Sequence, residues 1–210
     1  MQNNAKQFHE QNFDYFLILD FEATCDSPRQ IYPMEIIEFP VLKINAKTFE
    51  VEDEFHRYVR PTINPILSPF CTQLTGIIQE MVDDSDRFYQ VFNKFEDWLQ
   101  QNKLIDEKQN PLVRFTFITC GDWDLKKILP LQCRLVGYEI PKYMTHWINV
   151  KKSFTDQVRH WPKSQAYLVE YFGITAIGRA HSGIDDCYNL AAIVREIAKL
   201  GHINLIYGWL

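Results

Sequence analysis

Two carboxylates one residue apart, Asp20 and Glu22, close the most apolar run of the chain, Tyr15-Phe16-Leu17-Ile18-Leu19-Asp20-Phe21-Glu22-Ala23-Thr24-Cys25. Read as one extended strand, the run puts residues i and i+2 on the same face, so both acids project together. Like charges held that close repel each other and lose hydration, and a cation is the natural offset. Hard carboxylate oxygens suit Mg²⁺ or Mn²⁺. Two further stretches offer more ligands. In Cys120-Gly121-Asp122-Trp123-Asp124-Leu125 a strand is predicted to pass into a helix. Asp122 stands there as N-cap, and Asp124 shares a face with Ile128 and Leu131. Taken alone, Asp124 reads as an acid serving the helix dipole. In His181-Ser182-Gly183-Ile184-Asp185-Asp186-Cys187 the spacing of Ser182 and Asp185 predicts a capping box. His181 then falls just outside the helix, and Asp186 lies one turn in, on the stripe of Leu190, Ile193 and Ile197.

The set has a coherent chemistry. Two divalent ions about 3.5–4 Å apart, shared by Asp20 and flanked by Glu22, Asp124 and Asp186, would activate a water and neutralise the leaving oxygen of an in-line displacement at phosphorus. Imidazole titrates near neutrality, so His181 could accept the water proton. With no P-loop or lysine beside the acids, hydrolysis of a phosphodiester fits better than transfer from ATP.

The elements that must position these groups follow from periodicity and punctuation. The apolar run at 15–25 reads as a central strand covered on both sides. Residues 35–44 and 49–60 read as two strands joined by a hairpin turn at Asn45-Ala46-Lys47-Thr48. Ser68-Pro69 opens a short helix that Gly76 ends. Residues 86–102 form an amphipathic helix with the stripe Phe88, Val91, Phe92, Phe95, Trp98 and Leu99. A strand at 112–119, a helix at 122–129, a short strand at 147–150 and helices at 151–159, 164–172 and 182–200 complete the chain. This order predicts an α/β fold: a single domain over 13–210 after a polar N-terminal segment at 1–12, with a mixed sheet of about five strands flanked by helices. The first three strands are expected to be antiparallel neighbours, and the later ones parallel to the first.

Composition narrows the setting. The formal charge of −5 over 210 residues argues against a surface that grips nucleic acid broadly. Five cysteines, odd in number and without a C-x-x-C pair, predict neither a disulfide framework nor a zinc knuckle. An intracellular protein of the cytoplasm, the nucleus or both is expected. Neither a secretory leader nor a membrane-spanning run is read, so no membrane partner is expected.

Asp20-x-Glu22, Asp124 after an aromatic, and His181-x4-Asp186 together resemble the DEDDh 3′-to-5′ exonucleases. The blocks 19–25, 35–40, 74–77, 120–124, 132–133 and 181–187 are similar to the Eri-type exoribonucleases within that group. The likeness covers roughly residues 13–200. It implies an RNase H-like (DnaQ-like) fold and removal of nucleoside 5′-monophosphates from RNA 3′ ends. Two Mg²⁺ ions per site, with Mn²⁺ as a substitute, would be held by Asp20, Glu22, Asp124 and Asp186, with His181 as general base. The backbone at Ala23 and Thr24 and the Leu74-Thr75-Gly76 segment would cradle the terminal nucleotide beside His181, and Trp123 would stack on its base. Some members carry an N-terminal SAP-type module. Only a dozen residues precede the first strand, so that module is not expected. Lys126, Lys127, Lys151, Lys152 and Arg179 are candidates for guiding the strand. Single-stranded RNA is the expected partner, possibly DNA. The rival readings are an exonuclease that prefers DNA and an inactive nuclease-fold scaffold.

Overall fold

The computed structural model describes residues 8–203 and 208–209; residues 1–7, 204–207 and 210, which include most of the polar lead and part of the predicted domain's end, lie outside the described residues. Strand β1 (Tyr15–Leu19) is the spine of the sheet. It pairs antiparallel with β3 (Ile36–Asn45) and parallel with β5 (Phe115–Thr119). Beyond β3 lies β4 (Val51–Tyr58), antiparallel, and beyond β5 lies β6 (His146–Asn149), parallel. These are the five strands and directions that the sequence predicts. Two two-residue strands, β2 (Glu22–Ala23) on β3 and β7 (Gly208–Trp209) on β6, raise the sheet to seven strands among the described residues.

Side chains of β1 alternate between two apolar layers. Leu17 and Leu19 join the cluster built with Val91, Phe92, Phe95 and Leu99 of α3 (Phe88–Gln101) and Leu129 and Cys133 of α4 (Leu129–Val136). Phe16 and Ile18 face Phe154 of α5 (Val150–Val158), Leu168 of α6 (Gln165–Tyr171) and Leu190, Ile193 and Val194 of α7 (Gly183–Ala198). Burial on both faces explains why the run reads as continuously apolar. The predicted α3 stripe is buried in full and meets Phe39 and Phe55, with ring centroids 4.9 and 5.3 Å from Phe95.

Ser68 caps α1 (Pro69–Thr75) by accepting from Cys71 N–H, and Gly76 ends it at φ +77°. A further short helix, α2 (Gln79–Asp83), follows without a sequence signal of its own. Residues 8–12, read as part of a polar lead, are packed: His9 N–H donates to Ala198 O, and Phe8 lies 4.7 Å from the Phe49 ring.

Three local readings are corrected. The run 15–25 is not one strand: β1 ends at Leu19, and Glu22 begins β2, whose pairing with β3 shifts register between Glu22 and Ala23. Asp20 and Glu22 therefore converge through a break in the chain rather than through strand alternation. The helix read at 122–129 is a π-helical turn over Asp124–Ile128 that runs into α4 through Pro130, and Asp122 does not cap it. Its carboxylate is taken by Trp147 Nε1 at 3.1 Å and Lys152 Nζ at 3.2 Å. Ser182 makes no side-chain cap for α7, so the capping box is absent. Asp185 instead accepts from Arg179 N–H at 3.1 Å.

Candidate active site

Four elements deliver the acidic groups to one place. Asp20 lies just past the end of β1, Glu22 opens β2, Asp124 starts the π-helical turn after β5, and Asp186 sits in the first turn of α7. The closeness of Asp20 and Asp124 is built into the backbone, because Phe21 N–H donates to Asp124 Oδ1 at 2.9 Å. Asp186 Oδ2 accepts from His181 N–H at 2.8 Å, and Gln165 Nε2 donates to both Asp186 O and Oδ1, at 2.9 and 3.0 Å. Asp20, Glu22, Trp123, His181 and Asp186 line one cleft of about 520 Å³, with Cys120 on its wall. Its far side is α6, from Ser164 to Glu170, and the segment Ala176 to Ala180. Asp124 is buried behind this wall, at 4 % exposure.

The electrostatics are those of mutual repulsion. Burial, and then Asp124, Asp186, Glu22 and Glu38, all push the Asp20 carboxyl well above the usual range. Glu22 is pushed up to about 9 by burial and then by Glu38, Asp186 and Asp124. Burial raises Asp124 to about 6 against the lowering bond from Phe21 N–H. Asp186 is raised by burial, while the bond from His181 N–H and the His181 side chain pull it back. Oxygen donors crowded in this way fit a hard divalent cation, whose charge would relieve the repulsion. Among the described residues, no three His, Cys, Asp or Glu side chains already converge at ligand distance. Asp124 and Asp186 are turned onto the N–H groups of Phe21 and His181.

Not every predicted contact lies on the cleft wall. Trp123 is there, 38 % exposed, and His181 is exposed. Ala23, Thr24, Leu74 and Thr75 are not among the residues that line it. Thr24 is tied to Glu35, its N–H donating to Glu35 O at 2.8 Å and its Oγ1 accepting from Glu35 N–H at 2.9 Å. Thr75 Oγ1 donates to Cys71 O and accepts from Ile77 N–H. The Thr24 bonds tie the end of β2 to the start of β3, and the Thr75 bonds close α1. Helix α1 is joined to the β2 segment by Ser68 Oγ donating to Cys25 O at 2.7 Å and by Cys71 Sγ at 3.8 Å from Ala23 O. Of the basic candidates, Lys152 pairs with Asp122, Lys151 Nζ donates to Lys163 O, and Arg179 reaches Gln73 O and Leu74 O. Lys126 and Lys127 are exposed.

Two residues escaped sequence reasoning. Glu38, 1 % exposed on β3, accepts from Gly183 N–H at 2.9 Å, Ile184 N–H at 3.2 Å and His56 Nε2 at 2.8 Å. It caps α7 in place of Ser182 and docks that helix on the sheet. Position 183 must be glycine, since a Cβ would stand 2.7 Å from Asp20 O. The signal for Glu38 was available: an acid inside the apolar strand Ile36-Ile37-Glu38-Phe39 needs donors. Gln165 gave no comparable signal.

A mixed sheet between helix layers, with four acids and a histidine at the end of its central strand, defines a nuclease of the DEDDh class. The chain belongs to the exonuclease family RNase_T, whose model matches residues 17–194. Its structure superposes on the nuclease domain of 3'hExo, a DEDDh family member solved bound to rAMP. The TM-score is 0.88 at 37 % identity, over 95 % of this chain and 98 % of that one. Cell-death related nuclease 4 (CRN-4) is also similar, with a TM-score of 0.83 at 30 % identity over 92 % of this chain and 67 % of that one. ERI1 exoribonuclease 3 of Homo sapiens is 48 % identical over 93 % of this chain. The chain spans about 57 % of that relative's length. Membership of the DEDDh class implies dependence on a divalent metal.

Proposed function

We propose that this chain is a 3′-to-5′ exoribonuclease that releases nucleoside 5′-monophosphates from RNA 3′ ends, as a single exonuclease domain over residues 13–210. The observation that carries the reading is that Asp20, Glu22, His181 and Asp186 line one cleft with Asp124 buried beside Asp20, each raised carboxyl owing its shift first to burial. RNA as substrate is supported by relatives named exoribonucleases and by a similar 3′-exonuclease solved in recognition of the histone mRNA stem-loop. Asp20, Glu22, Asp124 and Asp186 would hold two Mg²⁺ ions, with Mn²⁺ able to replace them. When bound, these ions supply charge neutralisation at the scissile phosphate and acidify the attacking water. His181, exposed at the cleft and held through its backbone to Asp186, takes the proton of that water on its imidazole. Trp123 offers an exposed aromatic face on which any terminal base can stack. The backbone at Ala23 and Thr24 and the Leu74-Thr75-Gly76 segment would cradle the terminal nucleotide.

No described helix is long and apolar enough to cross a membrane. An intracellular setting, in cytoplasm or nucleus, is supported by five cysteines that are all unpaired. The test is an end-labelled single-stranded RNA incubated with Mg²⁺, alongside EDTA and Asp20→Asn controls and a matched DNA strand. Stepwise loss from the 3′ end, abolished in both controls and faster on RNA, is expected. Equal degradation by Asp20→Asn would overturn the reading in favour of a binding scaffold. Faster loss of the DNA strand would move the substrate class.

A further inference from the structure

Every residue from Thr175 to His181 is exposed, so no buried apolar anchor holds the segment that delivers His181. His181 also takes a left-handed backbone, φ +62°, a conformation uncommon outside glycine and held here by the bond of its N–H to Asp186. Polar rungs do the holding. On the α7 side, Asn189 exchanges two bonds with Ile177, at 2.8 and 2.9 Å, Asp185 accepts from Arg179 N–H, and Asp186 accepts from His181 N–H. The opposite side has one long arm. Arg179 Nη2 donates to Gln73 O at 2.9 Å and Leu74 O at 3.1 Å, carbonyls of the last turn of α1. The guanidinium lies over Gly76, where a Cβ would come within 1.8 Å of Arg179 Nη1. A cation at the exposed carbonyls of a helix C-terminus is electrostatically favoured. Helix α1 in turn backs β2, through Ser68 Oγ to Cys25 O and Cys71 Sγ to Ala23 O, and β2 carries Glu22.

We propose that Arg179 is a positioning residue: its guanidinium latches the His181 segment to α1, so that the proposed base and the Glu22 side of the cleft keep one fixed separation. The proposal rests on the reading of His181 as general base. It differs from guiding the strand by charge, because both bonds of the guanidinium run to main-chain carbonyls rather than into the cleft.

The experiment uses the full chain with Arg179→Ala and Arg179→Lys, followed by amide hydrogen exchange and by kinetics on RNA with Mg²⁺. Loss of the latch should speed exchange across 176–182 about tenfold while α3 keeps its protection. Turnover should fall about tenfold or more with KM changed less than about threefold, since the base loses its aim while the strand keeps its contacts. Arg179→Lys, which can reach one carbonyl, should recover part of the turnover, and added methylguanidinium should recover part of it in Arg179→Ala alone. Unchanged exchange across 176–182, or faster exchange with wild-type turnover, would overturn the proposal. A wild-type chain that leaves RNA intact would instead sink the nuclease reading, and the exchange data would still decide whether the latch exists.

Discussion

Glu22→Gln should make the metal-free protein more stable while abolishing its activity, with a pH dependence set by one carboxyl. In the unfolded chain Glu22 ionises near 4.5, and in the fold it holds its proton to about 9. A raised folded value means that the group's contribution is complete below pH 4.5. It is lost progressively as pH rises toward 9, because the unfolded state sheds a proton that the folded state retains. At about 1.4 kcal/mol per pH unit, the retained proton costs roughly 3 kcal/mol of folding stability at pH 7. Glu22 is half-buried on the cleft wall, and water there screens part of this, leaving about 2 kcal/mol. Glutamine keeps the shape and removes the titration. For a domain of this size the gain corresponds to about 4–8 °C in Tm. Thermal unfolding in EDTA at pH 4.5 and pH 7.5 reads it directly. A gain at pH 7.5 that vanishes at pH 4.5 is expected. Equal gains at both values, or none at pH 7.5, would refute the argument that crowding of acids destabilises the metal-free fold.

Other outcomes follow from the same geometry. Mg²⁺ binding should tighten at least several-fold between pH 6 and 7.5 and release protons, because the raised carboxyls of Glu22 and Asp124 must ionise to bind; calorimetry in buffers of different ionisation enthalpy checks this, and pH-independent binding would refute it. His181→Ala should keep the Mg²⁺-induced rise in Tm and the binding of RNA, yet lose about 10²–10⁴ in turnover; single-turnover kinetics decide it. Glu38→Ala strips the buried cap from Gly183 N–H and Ile184 N–H, so it should cost about 1–3 kcal/mol in urea unfolding and weaken metal binding through Asp186. Phe95→Ala, outside the cleft lining and in contact with Phe39, Phe55 and Trp98, should cost about 3–5 kcal/mol with KM changed less than turnover, read by urea unfolding and steady-state kinetics.

Much of the fold was legible because periodicity reports burial. The α3 stripe, the Ser68 and Gly76 boundaries of α1 and the apolar β1 run each carry their signal in local residues. Errors fell where the chain breaks a local pattern for a distant reason. Strand β1 stops at Leu19 because Phe21 N–H is claimed by Asp124, 103 residues away. Ser182 looks like the cap of α7, but a carboxylate from β3 reaches the helix first. The π-helical turn at Asp124–Ile128 likewise leaves no mark in the residue types.

By itself the sequence singled out Asp20, Glu22, Asp124, His181 and Asp186 as a set, because each acid alone has an ordinary capping or dipole use and only their combination points to a shared cation. It also determined the alternation of strands and helices, since each element buries its own stripe. The tertiary structure decided how the acids meet: across a chain break, by a bond from Phe21 to Asp124, and on a helix docked by Glu38. It also decided that Thr24 bonds to Glu35 and Thr75 to Cys71 while Trp123 and His181 face the cleft. The physical reason is that a hydrogen bond or a like-charge contact between distant segments depends on their separation in space, which local residue patterns do not encode.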